Sequence, residues 1–284
     1  MDNILNNMKK IITRILTSSA FLVCLASSAL LATSCGDKFE RAINDNMGSE
    51  EVLLTLNELI THDKFIAYND AAHYFEKADA DPDQKGNIIL YYTGESYTIE
   101  LNSYGTGPYQ INNEHVWCQS RFRIYSANPN ANEYSAIRVP SPYSDLYNIR
   151  PCLGIVNTDR SNYMYAENTV EGSLKPFDPA NYKGAKEEYR GDIARILFYD
   201  ATRYLKLKLI DYTDAPTTSS YEMGCLSDLL AWNLKYAPSK LEKNRNDAIE
   251  KIQGNRNPFV DHPEYACRIW GATNDKTKQI CGIN

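Results

Sequence analysis

Val52, Leu53, Leu56, Leu59 and Ile60 recur at helical spacing behind Ser49-Glu50-Glu51, and this pattern predicts an amphipathic helix that opens the folded part of the chain. Residues 70–78 read as a second helix. Ile88-Ile89-Leu90-Tyr91-Tyr92-Thr93 is rich in β-branched and aromatic side chains, which favours a buried strand. Between these two elements Asp79-Ala80-Asp81-Pro82-Asp83 starts like a calcium loop. Gln84 stands where such a loop needs glycine and Leu90 where it needs glutamate, so a surface turn is expected instead. Residues 97–101 alternate as a strand does, and 110–117 and 144–149 read as two more strands. Pro151 and Gly154 then break the chain before a helix over 156–163 that turns Asn157 inward. Ile193, Ile196, Leu197, Ala201, Tyr204 and Leu205 mark a long helix behind Arg190-Gly191-Asp192, whose resemblance to a cell-adhesion triplet carries no weight. Leu241, Ala248, Ile249 and Ile252 mark another helix over 239–253, with Gly254 as its stop. Helices at both ends with short strands between them give an α+β fold, and no internal repeat is evident.

Composition changes this picture at one end only. A chain of 284 residues, 43% hydrophobic and 23% charged, suits one sizeable domain. Lys9, Lys10 and Arg14, however, precede an apolar run over 20–32 that closes with Leu31-Ala32-Thr33-Ser34-Cys35. That order is an export signal. Its end resembles the bacterial lipoprotein cleavage site, which makes Cys35 the lipidated first residue of the mature protein. The apolar run is short for a membrane span of about 20 residues. The expected organisation is therefore a lipoprotein signal peptide over 1–34, a polar tether over 35–48 and a single domain over 49–284. The mature protein is expected as a monomer anchored in a bacterial membrane, outer-membrane, periplasmic or cell-surface facing.

In an oxidising compartment the remaining cysteines are free to bridge. Cys267 with Cys281, or Cys118 with Cys152, are the pairs near enough to consider, and the odd count, with Cys225, leaves at least one thiol unpaired. With four histidines and no Cys-x-x-Cys, a structural zinc site is not expected. The formal charge of −6 excludes a uniformly basic nucleic-acid binder. Between His115 and Asn162, though, Arg121, Arg123, Arg138, Arg150 and Arg160 outnumber Glu133, Asp145 and Asp159. A guanidinium fork matches phosphate oxygens, so Arg121, Arg123, Arg150 and Arg160 are candidate substrate contacts.

Asn112-Asn113-Glu114-His115-Val116-Trp117, Asp145-Leu146-Tyr147-Asn148-Ile149-Arg150-Pro151 and Val156-Asn157-Thr158-Asp159-Arg160-Ser161-Asn162 carry the chemistry. An acid, an imidazole and an amide from two strands and a helix start are the groups that one-metal phosphodiester hydrolysis requires. Carboxylate and amide oxygens hold a hard cation such as Mg²⁺, which keeps most of its own waters. An imidazole takes the proton of an attacking water.

These stretches, taken as NNEHVWCQS (112–120), SDLYNIRP (144–151), GIVNTDRSNY (154–163), YRGDIARILFYDATRY (189–204) and EKNRNDAIEKIQGNRNPFVDHPEY (242–265), resemble the endonuclease I family of secreted and periplasmic bacterial nucleases. That family belongs to the ββα-metal (His-Me finger) group, and the resemblance runs from about Ser49 to Gly271. It implies a mixed helical domain around a small ββα-metal finger. It places the general base on His115, the metal ligands on Glu114 and Asn157, and the amide that braces the loop between the strands on Asn148. It further implies that a main-chain carbonyl near Tyr143 or Ser144 holds the other ring nitrogen of His115. A catalytic, phosphate-contacting arginine is also implied, with Arg138 the first candidate and Arg121 and Arg123 the others. Cys118 stands where the family usually has proline, and Tyr147 where it usually has histidine. A Cys118–Cys152 bridge is one compensation to look for. His262 falls in the last block and is expected to be structural.

The function implied is largely sequence-nonspecific hydrolysis of DNA, with RNA second, to 5′-phosphate products, using Mg²⁺ with Mn²⁺ or Ca²⁺ as alternatives. Two other readings stay open: a lipoprotein that binds nucleic acid or a partner without cutting, and a phosphoesterase of small molecules. Glu114 and His115 are neighbours, and neighbours on a regular strand face opposite ways. The strand must therefore end or twist there.

Overall fold

Helix Tyr189–Arg203 is buried from Tyr189 to Thr202. The computed structural model describes residues 36–62, 64–100, 103–122, 140–167, 176–182, 185–211 and 221–284. The apolar leader, Cys35, Arg123 and Arg138 lie outside those residues. The chain divides after Ala42 into two units. In the first, Gly36–Ala42 is helical, within the segment read as a polar tether. Lys38, Glu40, Arg41 and Ala42 are polar or small but good helix formers, and polarity alone says little about order.

In the second unit the core helix packs against helices Ser49–Ile60, Leu226–Lys235 and Pro258–Asp261. The first of these buries Val52, Leu56 and Ile60, as its spacing predicts. Phe198 and Phe259 close the other flank against Trp270. Helix Lys240–Gln253 starts where Ser239 accepts a hydrogen bond from the Glu242 amide, and it stops at Gly254, whose φ of 96° only glycine adopts without strain. Helices Tyr265–Trp270 and Asp275–Cys281 follow, joined by a Cys267–Cys281 disulfide. Cys118 and Cys152 are buried and not bonded to each other, so the Cys118–Cys152 bridge is not made.

The strands are short and paired by twos among the described residues. β1 (Asn87–Ile89) runs antiparallel to β2 (Ser96–Thr98), β3 (Ile111–His115) antiparallel to β4 (Ile149–Leu153), and β5 (Lys208–Leu209) parallel to β6 (Glu222–Met223). The result is α+β.

Several expected elements move. The strand over 88–93 ends at Ile89, and Tyr92 enters the left-handed region at φ 67°. The helix over 70–78 is a 3-10 segment, Tyr68–Tyr74, followed by one α-turn, Phe75–Ala78. Asp79 is not on the surface: it is 1% exposed, with Oδ1 accepting from Arg245 Nε at 2.9 Å and lying 3.2 Å from Arg150 Nε.

The strand expected over 144–149 is a tight turn closed by Asn148 N–H to Asp145 O, and pairing starts only at Ile149. Pro151, expected to break the chain, lies inside β4 opposite Asn113. Its carbonyl accepts from Tyr91 N–H, on the side away from β3. In an antiparallel pair a residue's nitrogen and carbonyl share one side, so the missing N–H removes no bond of the ladder.

Candidate active site

β3, β4 and the helix Gly154–Arg160 that follows without a gap bring three chemically distinct groups to one cleft of about 720 Å³. Glu114 and His115 come from the end of β3 and Asn157 from the helix. Both strand residues are buried, at 2% and 5% exposure, but against different partners. Glu114 meets Tyr92 and Arg160, whereas His115 meets Tyr68, Tyr143 and Phe122. The strand therefore alternates as geometry demands, and the cleft opens around its last two residues.

His115 is oriented from two directions. Its Nε2 lies 2.9 Å from the Tyr143 carbonyl, which can only accept, so Nε2 carries the proton and Nδ1 keeps its lone pair. Gln119 Nε2 donates to that Nδ1 at 3.2 Å. Tyr68 and Tyr143 stack near-parallel to the ring, at 12° and 16° and centroid distances of 5.4 Å. Burial pushes the imidazole down to about 4, against the raising pull of the Tyr143 carbonyl, with the Arg160 charge lowering it further. At neutral pH the ring is an uncharged acceptor.

Glu114 ends a chain of donors. Arg160 Nε donates to the Tyr165 hydroxyl at 2.9 Å, that hydroxyl lies 2.7 Å from Tyr92 Oη, and Tyr92 donates to Glu114 Oε1 at 2.7 Å. Arg160 Nε also lies 3.4 Å from Oε1. Burial lifts the carboxyl to about 7, with Arg160 and the Tyr92 hydroxyl pulling the other way. Tyr92 makes this contact from its left-handed backbone, a conformation that costs a bulky side chain roughly 1–3 kcal/mol. Strain is thus spent at the residue that orients the acid.

Asn157 lines the same cleft, half-buried, and its side-chain amide makes no hydrogen bond to another described residue. A buried carboxyl held below full ionisation by desolvation and an uncommitted amide oxygen fit a hard divalent cation. Among the described residues no three of His, Cys, Asp or Glu come together to hold a metal. An ion here would keep several waters, as Mg²⁺ does.

Asn148 is fully buried and acts on the backbone. Its Oδ1 accepts from Trp117 N–H at 2.6 Å, and its amide donates to the Trp117 and Pro142 carbonyls at 3.2 and 2.9 Å. It ties the end of β3 to the segment that presents the Tyr143 carbonyl. It is not among the residues that line the cleft, and its hydrogen bonds are those of a positioning residue. Tyr147 hydrogen-bonds Asn246 Oδ1 at 2.6 Å, and His262 pairs with Glu264 and stacks on Tyr265.

Three of the expected phosphate contacts are corrected. Arg121, Arg150 and Arg160 are 1%, 2% and 0% exposed. Arg121 donates to the Asn162 and Glu222 carbonyls, Arg150 faces Asp79 and Asp192, and Arg160 donates to Val116 and Ser161 carbonyls. A count of charges along the chain does not reveal that these guanidinium groups are internal. Conversely, Tyr68, Tyr92 and Gln119 were not expected at the site. Gln119 sits four residues after His115, which was the available signal; the two tyrosines come from distant segments and had none.

The family model described as Endonuclease I matches residues 49–264. An extracellular ribonuclease of Bacillus amyloliquefaciens is 35% identical over 227 residues, covering 76% of this chain and 72% of that protein. The extracellular ribonuclease of Bacillus subtilis (strain 168) is 32% identical over 226 residues, covering 76% and 73%. An extracellular deoxyribonuclease of Aeromonas hydrophila is 31% identical over 124 residues, covering 41% and 48%.

Proposed function

The chain belongs to the endonuclease I family, and from that premise we propose that it is an exported nuclease whose β3, β4 and helix Gly154–Arg160 form a His-Me finger. The observation that carries the reading is His115, fixed by the Tyr143 carbonyl with its unprotonated Nδ1 in the same cleft as Glu114 and Asn157. Relatives named as extracellular ribonucleases and deoxyribonucleases support a nucleic-acid substrate and export. The chain's leader and Cys35 add a lipid anchor to this reading.

In the proposed reaction a water displaces the Gln119 amide from Nδ1 and attacks phosphorus as His115 accepts its proton. The bond to the 3′ oxygen breaks, which leaves a 5′-phosphate. Such proton transfer contributes typically about 10²–10⁴-fold. Tyr143 keeps the imidazole in the accepting tautomer, and Tyr92 with Arg160 keeps Glu114 turned to its place. Glu114 and Asn157 would hold Mg²⁺, with Mn²⁺ or Ca²⁺ as alternatives, and the ion when bound neutralises charge that builds on the phosphate oxygens. Asn148 braces the turn behind them. Arg138 stays the candidate for contact with the scissile phosphate, and Arg123 for a flanking one.

Incubation of the mature protein with supercoiled plasmid and with RNA, in Mg²⁺ and then in EDTA, tests this. Chelator-sensitive degradation with 5′-phosphate ends is expected. Retarded but intact nucleic acid would instead identify a binder, and no effect on either polymer would leave a phosphoesterase of small molecules.

A further inference from the structure

Tyr109 is 73% exposed, the most exposed large apolar side chain among the described residues. Exposed tyrosines are ordinary on mobile loops; the backbone on both sides of this one is hydrogen-bonded. Both of its sequence neighbours are bound by main chain to the start of the helix that carries Asn157: Gly154 N–H donates to Gln110 O at 3.0 Å, and Ile155 N–H to Pro108 O at 2.8 Å. The loop at 103–110 is closed on itself as well, by Ile111 N–H to Ser103 O at 2.7 Å and by Gly107 N–H to Gln110 Oε1 at 2.9 Å. Its packing on the helix is close: a Cβ on Gly154 would meet the Gly107 carbonyl, so only glycine is admitted there.

The same loop supplies Gly105 and Thr106 to the wall of the cleft. Ile155, whose N–H bonds the Pro108 carbonyl, is 40% exposed on the helix start. The backbone that carries this ring is thus held beside the cleft-lining segments, so little main-chain freedom is left to lose on binding. The arginines described around the cleft are buried, which weakens the purely ionic grip on a backbone. A π-face compensates, because every nucleobase has one.

We propose that Tyr109 is a stacking platform for an unpaired base next to the scissile phosphate, so that the enzyme favours single-stranded RNA or DNA over continuous duplex. The inference rests on the nuclease reading above and adds its substrate class. Bases in a duplex are stacked on each other and offer no free face to a side chain outside the grooves.

The test uses a single-stranded oligonucleotide carrying 2-aminopurine and its duplex, with the wild-type protein, Tyr109→Ala and Tyr109→Trp. In EDTA with Ca²⁺ and Mg²⁺ absent, wild type should quench the fluorophore on binding the single strand, and Tyr109→Ala should lose quenching with about 10- to 100-fold weaker binding. With Mg²⁺, Tyr109→Ala should raise KM on the single strand by a similar factor, with kcat within about twofold. The duplex should be indifferent, and Tyr109→Trp should behave as wild type. Equal losses on both substrates, no loss on either, or no binding of the single strand by wild type would each overturn the proposal. If wild type binds and quenches as expected but cuts nothing, the nuclease reading fails while stacking stands.

Discussion

Two regions of this protein bury ionisable groups, and they do so to opposite ends. Around the helices Tyr189–Arg203 and Lys240–Gln253 the buried charges of Arg195, Glu242 and Asp145 are matched, with Asp200 the exception. Arg195 grips Glu242 through both oxygens, at 2.5 and 2.7 Å, and gives another N–H to the Tyr236 carbonyl at 2.8 Å. Asp145 accepts from Tyr199 and Tyr204 at 2.8 Å each, and from Gln253 at 2.8 Å. In the cleft the groups are less fully committed: the Glu114 carboxyl is raised by burial, the half-buried Asn157 amide has no partner among the described residues, and the His115 lone pair is met only by the Gln119 amide at 3.2 Å. Matched burial makes rigidity, and unmatched burial makes reactivity, because a group taken out of water without compensation is ready to take a new partner.

Cutting into each region should therefore have separable results. His115→Ala is expected to lower kcat by about 10²–10⁴-fold while thermal unfolding stays within error of wild type. A parallel fall in melting temperature would move His115 to the matched class. Glu242→Ala should do the reverse. It strands Arg195 and costs roughly 3–5 kcal/mol of stability in a urea titration, with activity per folded molecule unchanged.

Tyr92→Phe sits on the border between the two. It removes one donor from Glu114, and the Mg²⁺ concentration for half-maximal cleavage is expected to rise about 10- to 100-fold with little change at saturation. A loss that Mg²⁺ does not restore would mean that the hydroxyl serves the fold alone.

Asp200 gives the smallest and most diagnostic effect. It is fully buried on the core helix, neither oxygen has a hydrogen-bond partner among the described residues, and burial, helped by nearby Asp145, raises its carboxyl well above the usual range. The folded state holds it protonated at pH values where the unfolded chain, near 3.9, has released the proton. Its contribution is thus present at low pH and lost as pH rises. Asp200→Asn should stabilise the protein more at pH 8 than at pH 4, read as a difference in melting temperature. An equal shift at both values would contradict the buried neutral acid.

How much of this was legible in the sequence depends on whether the signal was local. Helices Ser49–Ile60, Tyr189–Arg203 and Lys240–Gln253 show in their spacing, and the last also in Ser239 and Gly254, because caps and periodicity are properties of adjacent residues. The resemblance of the motifs led to Glu114, His115, Asn148 and Asn157, and to a carbonyl near 143. Strand β4 was misplaced because Leu146 and Tyr147 look like strand residues yet are buried inside a turn, and what buries them lies about a hundred residues away: Arg245 donates to the Leu146 carbonyl and Asn246 accepts from Tyr147. The arginines were misread for the same reason, since Asp79 and Asp192, which face Arg150, come from other parts of the chain.

The group that orients His115 belongs to the main chain. A peptide carbonyl is common to every amino acid, so replacing the Tyr143 side chain leaves the acceptor for Nε2 in place. Sequence drift at that position can alter the stacking surface without disarming the imidazole. Only a rearrangement of the backbone there, such as loss of the Asn148 amide from the Pro142 carbonyl, takes the acceptor away. The tautomer is thereby insured against most single-codon changes where it is set.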